Sequence, residues 1–273
     1  MASQMITGLE VGDVAKYVFL CGEPERVPRI ADGFSDAKEV ARHREFWVYT
    51  GKLGGTPVTA ASTGIGGPSA AILIEELANL GSDTFIRIGT SGAIADGLEK
   101  GDFVISTGAI RADGTTRSYA WPEFPAAANH EVVVALVAAA KKMKARFDVG
   151  VCLSVDGFYS ENKVISGGKL APMSGSGYMP SFMDHRLEDA KKMGAKNMEM
   201  ENGTIFTLGS LFGLRTGAIC TVSDVVPWHP TEKVLDFEKN MADCIKVGIE
   251  GMRNLMAMDS AKAGSKFWSP SFE

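Results

Sequence analysis

The residues best suited to chemistry gather in one short stretch, Thr84-Phe85-Ile86-Arg87-Ile88 running directly into Gly89-Thr90-Ser91-Gly92. An apolar, β-branched run of this kind has the composition of a strand buried on both faces of a parallel sheet. Arg87 lies inside it, and arginine is almost never buried alone, because an unpaired buried charge is costly. Two partners can meet it. One is a carboxylate elsewhere in the core. The other is an anion at the strand's C-terminal end, cradled by the Thr90 and Ser91 hydroxyls and by glycine-exposed amides. Ligands of open α/β sheets bind outside the carboxyl ends of the strands, and the hydroxyls and glycines that follow at once favour the anion.

Other segments carry related signals. A short apolar run at 17–21 leads into Gly22-Glu23-Pro24-Glu25-Arg26-Val27, where Pro24 suits the first position of a helix. A strand, a glycine turn and a helix start make a second anion site, with Arg26 either facing the anion or solvated on the surface. Ser62-Thr63-Gly64-Ile65-Gly66-Gly67-Pro68-Ser69 is a glycine-rich loop feeding a helix that stops at Gly81. Glu199-Met200-Glu201 places two glutamates among apolar neighbours, so at least one is expected to be partly buried. Asp224 follows the last core strand at 216–222. Val225-Val226-Pro227-Trp228 does not start a helix, so a capping role is disfavoured and a functional carboxylate preferred. Taken alone, His43-Arg44-Glu45-Phe46 reads as a solvated edge.

The elements that must position these groups follow from pattern. Paired strands are expected at 46–50 and 57–61, a helix at about 69–80, strands at 84–88, 101–106 and 149–154, and helices at about 130–143, 185–193, 197–212 and 232–256. Alternating strands and helices imply an α/β fold with a mixed sheet sandwiched between helices, as one domain over 1–273. Residues 160–183 lack periodicity and read as a mobile lid; a polar tail begins at about 257. At 273 residues, 45% hydrophobic and 22% charged, the chain can build a sizeable core. A net charge of −5 without a basic block argues against nucleic acid. No apolar run reaches the roughly 18 residues needed to span a membrane. The first residues carry no basic segment followed by an apolar run, so a cytoplasmic protein is expected. Four dispersed cysteines read as reduced core thiols, and the four histidines show no metal-ligand spacing.

Taken together, GEPERV at 22–27, HREF at 43–46, STGIGGPS at 62–69, IRIGTSGAI at 86–94 and EMEN at 199–202 resemble the nucleoside phosphorylase family of uridine phosphorylases and hexameric purine nucleoside phosphorylases. The resemblance covers about residues 17–256 and implies a three-layer α/β/α sandwich around a mixed, partly barrel-like sheet. It implies phosphorolysis of a nucleoside to free base and ribose 1-phosphate, with phosphate as co-substrate and no organic cofactor. Gly22, Arg26, Arg87 and Thr90 match the family's phosphate site, and Arg44 matches an arginine lent by a neighbouring subunit. Glu199, Met200 and Glu201 match its ribose contacts, and Phe158 the aromatic beside the base. Glu45, Ile65 and Ser69 match positions that hold a potassium ion between subunits in some uridine phosphorylases. A homodimer or trimer of dimers with shared active sites follows from the same likeness.

Base identity divides the sequence. HREF, GIGGPS and Glu123-Phe124-Pro125-Ala126 are closest to uridine phosphorylases. Those enzymes read uracil with a glutamine and an arginine, where this chain has Asn162 and Val164; its only glutamine is Gln4. Ser223-Asp224 matches the purine enzymes, in which the aspartate protonates N7 of the leaving base. Weighing the site above overall likeness favours a purine nucleoside, with Asp224 and Arg87 as the catalytic pair; the alternative is uridine. The N-terminus lacks the family's histidine for a neighbour's ribose 5′-hydroxyl, which leaves that contact unassigned. A nucleosidase using water, or a non-catalytic nucleoside-binding protein, would keep the pocket but not the whole constellation.

Overall fold

The structure, a computed structural model, describes residues 3–228 and 236–270. His229 and the expected helix start at 232–235 lie outside the described residues. The chain opens with β1 (Tyr17–Cys21), α1 (Arg26–Ala31), β2 (Ser35–His43), β3 (Phe46–Leu53), β4 (Thr56–Ser62) and α2 (Gly67–Asn79). Next come β5 (Thr84–Ala93), β6 (Phe103–Arg111), α3 (Thr115–Tyr119), β7 (Ala126–Ala127), α4 (His130–Lys142) and β8 (Phe147–Ser154). The hairpin β9 (Lys163–Ser166) and β10 (Lys169–Pro172) precedes α5 (Arg186–Lys192) and β11 (Asn197–Glu199). The chain ends with α6 (Asn202–Phe212), β12 (Arg215–Val225) and α7 (Phe237–Ala261).

β1 shows why the apolar runs are continuous. It lies parallel to both β4 and β5. Tyr17, Phe19 and Cys21 enter one apolar cluster with α1, α4 and α7, while Val18 and Leu20 enter another with α2 and α6. Both faces of the strand are therefore covered, and no polar alternation survives. The result is the expected mixed sheet between two helical layers. β12 pairs parallel with β5 and antiparallel with β6, β6 and β8 run parallel, and β11 bridges β8 back to β5. Those five strands close into a barrel, from which β1, β4, β3 and β2 extend as an arm.

Four expectations are corrected. Residues 160–183 are not structureless, since β9 and β10 form an antiparallel hairpin there. The helix expected at 197–212 is two elements: three residues of β11 complete the barrel before α6 begins. Only an edge near His43 is expected from the sequence, because the exposed, charged residues of β2 give no apolar signal, yet β2 runs nine residues along β3. The helix α7 continues to Ala261, and the tail beyond it docks through the Trp268 N–H on Glu131 Oε1 at 2.9 Å. The four cysteines are free and buried. Among the described residues no helix is long and apolar enough to cross a membrane, and no cluster of His, Cys, Asp or Glu could hold a metal ion.

Candidate active site

The C-terminal ends of β1, β5 and β12, the start of α6 and the segment 155–162 enclose a cavity of about 980 Å³. The period of two along β5 puts Arg87 on the same face as Phe85, towards α6. There its guanidinium pairs with Glu201, and Nη1 reaches Cys220 Sγ at 3.4 Å. A side chain at Gly89 would lie 1.7 Å from Arg87 Nη1, so the glycine is what gives the guanidinium its place. Of the two partners foreseen for Arg87, the core carboxylate is found as Glu201, and Arg87 also lines the cavity. Burial opposes its charge, but the carboxylates of Glu201 and Glu199 outweigh that and hold its pKa above the usual arginine value.

The two glutamates organise the end of the cavity where the resemblance expects ribose. Glu201 Oε1 accepts the Gly66 N–H at 2.7 Å, which fastens the glycine-rich loop to the start of α6. Glu199 accepts the N–H groups of Glu201 and Asn202 at 2.8 and 2.7 Å, satisfying amides that a helix start leaves free. Burial pushes the Glu199 carboxyl up, Arg87 opposes the shift, and the Glu201 charge adds to it. Met200 lines the wall beside them.

At the anion end, Gly22, Arg26 and Thr90 share the wall with Arg87. Arg26 is only 4% exposed although α1 starts at the surface. It donates to Glu23 at 2.9 Å and to the Ile88 carbonyl at 3.4 Å. The Nε atoms of Arg26 and Arg87 and the Ser91 hydroxyl are buried without a partner. Unused donors on three residues that line one cavity suit a multiply charged oxyanion. Burial pushes the nearby Cys21 and Cys220 thiols up to about 12 despite the arginines, which keeps them in the thiol form.

Glu45, Ile65 and Ser69 meet at one rim, where Ser69 Oγ donates to Glu45 Oε1 at 3.0 Å. Gly64 beneath them has φ of +68°, and a side chain there would lie 2.7 Å from Glu45 Cγ. Arg44, one residue away, is exposed on the β2–β3 turn and does not line this chain's cavity. Asp224 also stays out of the wall. It lies beyond a register shift in β12 and pairs with Lys100 at 2.8 Å.

The end of the cavity where the resemblance expects the base is built by a loop. Glu161 accepts the Gly157 N–H at 2.8 Å and pairs with Arg186 of α5, which fixes the segment carrying Phe158 and Asn162. Phe158 packs edge-on against Tyr159 and Trp228, with ring centroids at 5.2 and 5.4 Å. Sequence reasoning missed Trp228. In the sequence Trp228 stands only in a run that fails to start a helix, and no local signal links it to the distant Phe158-Tyr159 pair.

A model of the phosphorylase superfamily matches residues 16–249. The chain is 41% identical to a uridine phosphorylase of Thermococcus kodakarensis, over 95% of this chain and 90% of the relative. It is 38% identical to a guanosine phosphorylase of Halorubrum lacusprofundi, over 81% and 83%. It is 36% identical to a uridine phosphorylase of Escherichia coli K12, over 91% and 96%. Together with an oxyanion-suited pair of arginines beside a glutamate-lined ribose end, these matches make the chain a member of the phosphorylase superfamily, a pentosyl-transferring nucleoside phosphorylase.

Proposed function

We propose that uridine is the preferred substrate, cleaved reversibly to uracil and ribose 1-phosphate. The observation that carries this reading is Asp224. The purine assignment rested on that carboxylate donating a proton to the leaving base, but it is held by Lys100 outside the cavity wall. The likeness to uridine phosphorylases points the same way.

In this reading Arg26 and Arg87, with the amides near Gly22 and Thr90, hold phosphate, and Glu201 takes ribose hydroxyls with Glu199 and Met200 behind it. A phosphate oxygen bonds to C1′ as the C1′–N1 bond breaks through an oxocarbenium-like sugar. The electron pair stays with the base, which then takes its proton from solvent. Positioning the dianion converts an encounter into an aligned attack. Arg44 is assigned to the site of a second copy, in a homodimer or trimer of dimers. Glu45, Ser69 and the Ile65 carbonyl offer only oxygen donors and one carboxylate per chain, a set that suits potassium shared between two copies. The 160–183 segment is assigned as a lid over the base, and the chain as one cytoplasmic domain.

The test is a panel of uridine, inosine, guanosine and adenosine, each with and without phosphate. Uridine with phosphate should give the highest kcat/KM, and omission of phosphate should abolish base release. Equal release without phosphate would make the protein a nucleosidase.

A further inference from the structure

Charge is the obstacle for an anion entering this cavity. Among the described residues its wall carries four carboxylates, Glu23, Glu45, Glu199 and Glu201, against two guanidiniums, Arg26 and Arg87. A phosphate adds negative charge to a wall where carboxylates already outnumber cations, and like charges repel most where water is partly excluded. Three of these carboxylates are tied down: Glu201 pairs with Arg87 and accepts the Gly66 N–H, Glu199 accepts two amides, and Glu45 accepts the Ser69 hydroxyl. Glu23 differs. Its side chain is 53% exposed, and its carboxylate makes one contact among the described residues, Oε2 to Arg26 Nη2 at 2.9 Å. The backbone beneath is fixed, since the Glu23 carbonyl accepts the Arg26 N–H at 3.1 Å and the Cys21 thiol at 3.3 Å. Only the side chain can turn away. Arg26 is held without it, because its guanidinium is buried and Nη1 donates to the Ile88 carbonyl at 3.4 Å. Nε and Nη2 form one edge of a guanidinium, the fork that takes two oxygens of a single anion. In Arg26 the Nε of that fork is unpartnered, and Glu23 occupies the Nη2.

We propose that Glu23 is a built-in competitor for phosphate: its carboxylate holds the Arg26 donor that a phosphate oxygen needs, and yields it by turning into solvent. Glu23 thereby limits how tightly phosphate, and the ribose 1-phosphate made from it, is bound. The inference rests on the phosphorylase reading, with Arg26 in the phosphate site, and adds the residue that sets the anion affinity of that site. The exposure of the carboxylate makes the exchange cheap, since an ion pair half open to water is weak and the displaced group regains full hydration. A looser hold also speeds departure of an anionic product from a site with several arginines, a step that limits turnover in many enzymes. Glu23 acts through Arg26 and through charge, so it is a positioning residue and takes no part in bond making.

The test measures the dissociation constant of inorganic phosphate by calorimetry, and separately the KM for phosphate and for nucleoside, in the native protein, Glu23→Gln, Arg26→Gln and the double variant. Glu23→Gln keeps the shape and removes the charge. It should tighten phosphate by roughly 3–10-fold in both measurements, the worth of a half-exposed ion pair plus one negative charge removed from beside the anion. The KM for nucleoside should stay near native, which separates this effect from general damage to the fold. Glu23→Ala, which removes the acceptor as well, should tighten phosphate at least as far. In the Arg26→Gln background the same Glu23→Gln change should lose most of its effect, because the donor under competition is gone. Weaker phosphate binding in Glu23→Gln overturns the proposal and makes Glu23 a support for Arg26. Unchanged binding also overturns it, marking a solvated surface charge. A full effect that persists without Arg26 rejects competition for the guanidinium. Base release indifferent to phosphate removes the phosphorylase reading instead, and the calorimetric comparison still decides whether Glu23 competes with an anion for Arg26.

Discussion

The sheet carries an arginine–carboxylate network at each end, and only one of them leaves donors unpaired. At the C-terminal end of β5, Arg87 pairs with Glu201, while its Nε and that of Arg26 stay unpartnered beside the cavity. At the opposite end, Arg215 donates to Thr84, Glu131 and Asp259, and Lys262 bonds the same two carboxylates. A second cavity of about 790 Å³ adjoins that cluster. Burial, charge and concavity are therefore common to both ends. Saturation separates them. Every nitrogen of Arg215 is engaged, so the cluster ties β12, α4, α7 and the docked tail together and offers a ligand nothing. The network around Arg87 is a buried pair with spare donors, which a phosphate and a ribose can complete.

The sharpest way to break this comparison is to remove each arginine in turn. Arg87→Ala should lower kcat/KM by about 10³-fold, the loss of a charged contact to the nucleophile. It also strands Glu201 as a buried charge, so Arg87→Lys, with a point charge in place of the fork, serves as the folded control and should still be strongly impaired. Arg215→Ala should do the reverse, lowering the thermal midpoint while leaving kcat/KM of the folded fraction near native. If Arg215→Ala abolished turnover at a temperature where the protein stays folded, saturation would not be the discriminant.

The sequence made one of these ends legible and not the other, for reasons of range. Arg87, Thr90 and Ser91 share one strand, and Arg26 follows the neighbouring strand by a few residues, so local pattern exposes an anion site. The saturated cluster joins Tyr17, Glu131, Arg215 and Asp259 across the whole chain, and no spacing reveals it. The same limit explains the base end. Asn162 was marked through resemblance, whereas Trp228 becomes its neighbour only through backbone bonds from 228 to 163 and 165. Asp224 was legible as a strand-end carboxylate. Its direction was not, because a β12 register shift and the Lys100 ammonium decide it. The strands β2 and β11 were missed because one is an exposed charged edge and the other only three residues long.

The open end should also depend on a second copy, whereas the saturated end is complete within one chain. Arg44→Ala and Glu201→Ala should each be nearly inactive alone. Mixed in equal amounts and re-associated, they should recover roughly a quarter of native activity, since two-fold symmetry makes half the dimers mixed and one site in each intact. No recovery, with mixed dimers confirmed by mass, would remove Arg44 from the shared site. A smaller effect is expected at the edge of the cavity. Asp224→Asn breaks only a partly exposed ion pair, so uridine turnover should change by about fivefold at most, the worth of such a pair. A loss of orders of magnitude confined to inosine or guanosine would restore the purine acid.

The smallest effect is a pH dependence of stability that runs in opposite senses at the two ends. Burial raises the Asp259 carboxyl, but hydrogen bonds from Arg215, Lys262 and Tyr17 outweigh it and hold its pKa well below the ordinary value. A depressed carboxyl stabilises the fold at pH above its unfolded value of about 3.9, and that contribution disappears as pH falls towards the folded value. Glu199 behaves in the reverse way. Its pKa is raised, chiefly by burial, so its contribution is complete below the unfolded value of about 4.3 and is lost as pH rises through the folded one. Thermal midpoints from pH 3 to 7 separate the two. Asp259→Asn should be less stable than native at pH 7, with the gap closing below about pH 4, at about 2–4 °C per kcal/mol for a chain of this size. Glu199→Gln removes the opposing contribution, so its midpoint should gain on the native one as pH rises above about 4.3. Curves that stay parallel to the native curve in both variants would mean that neither carboxyl titrates differently on folding. Saturation would then distinguish the two networks by geometry alone and not by how firmly each holds its charge.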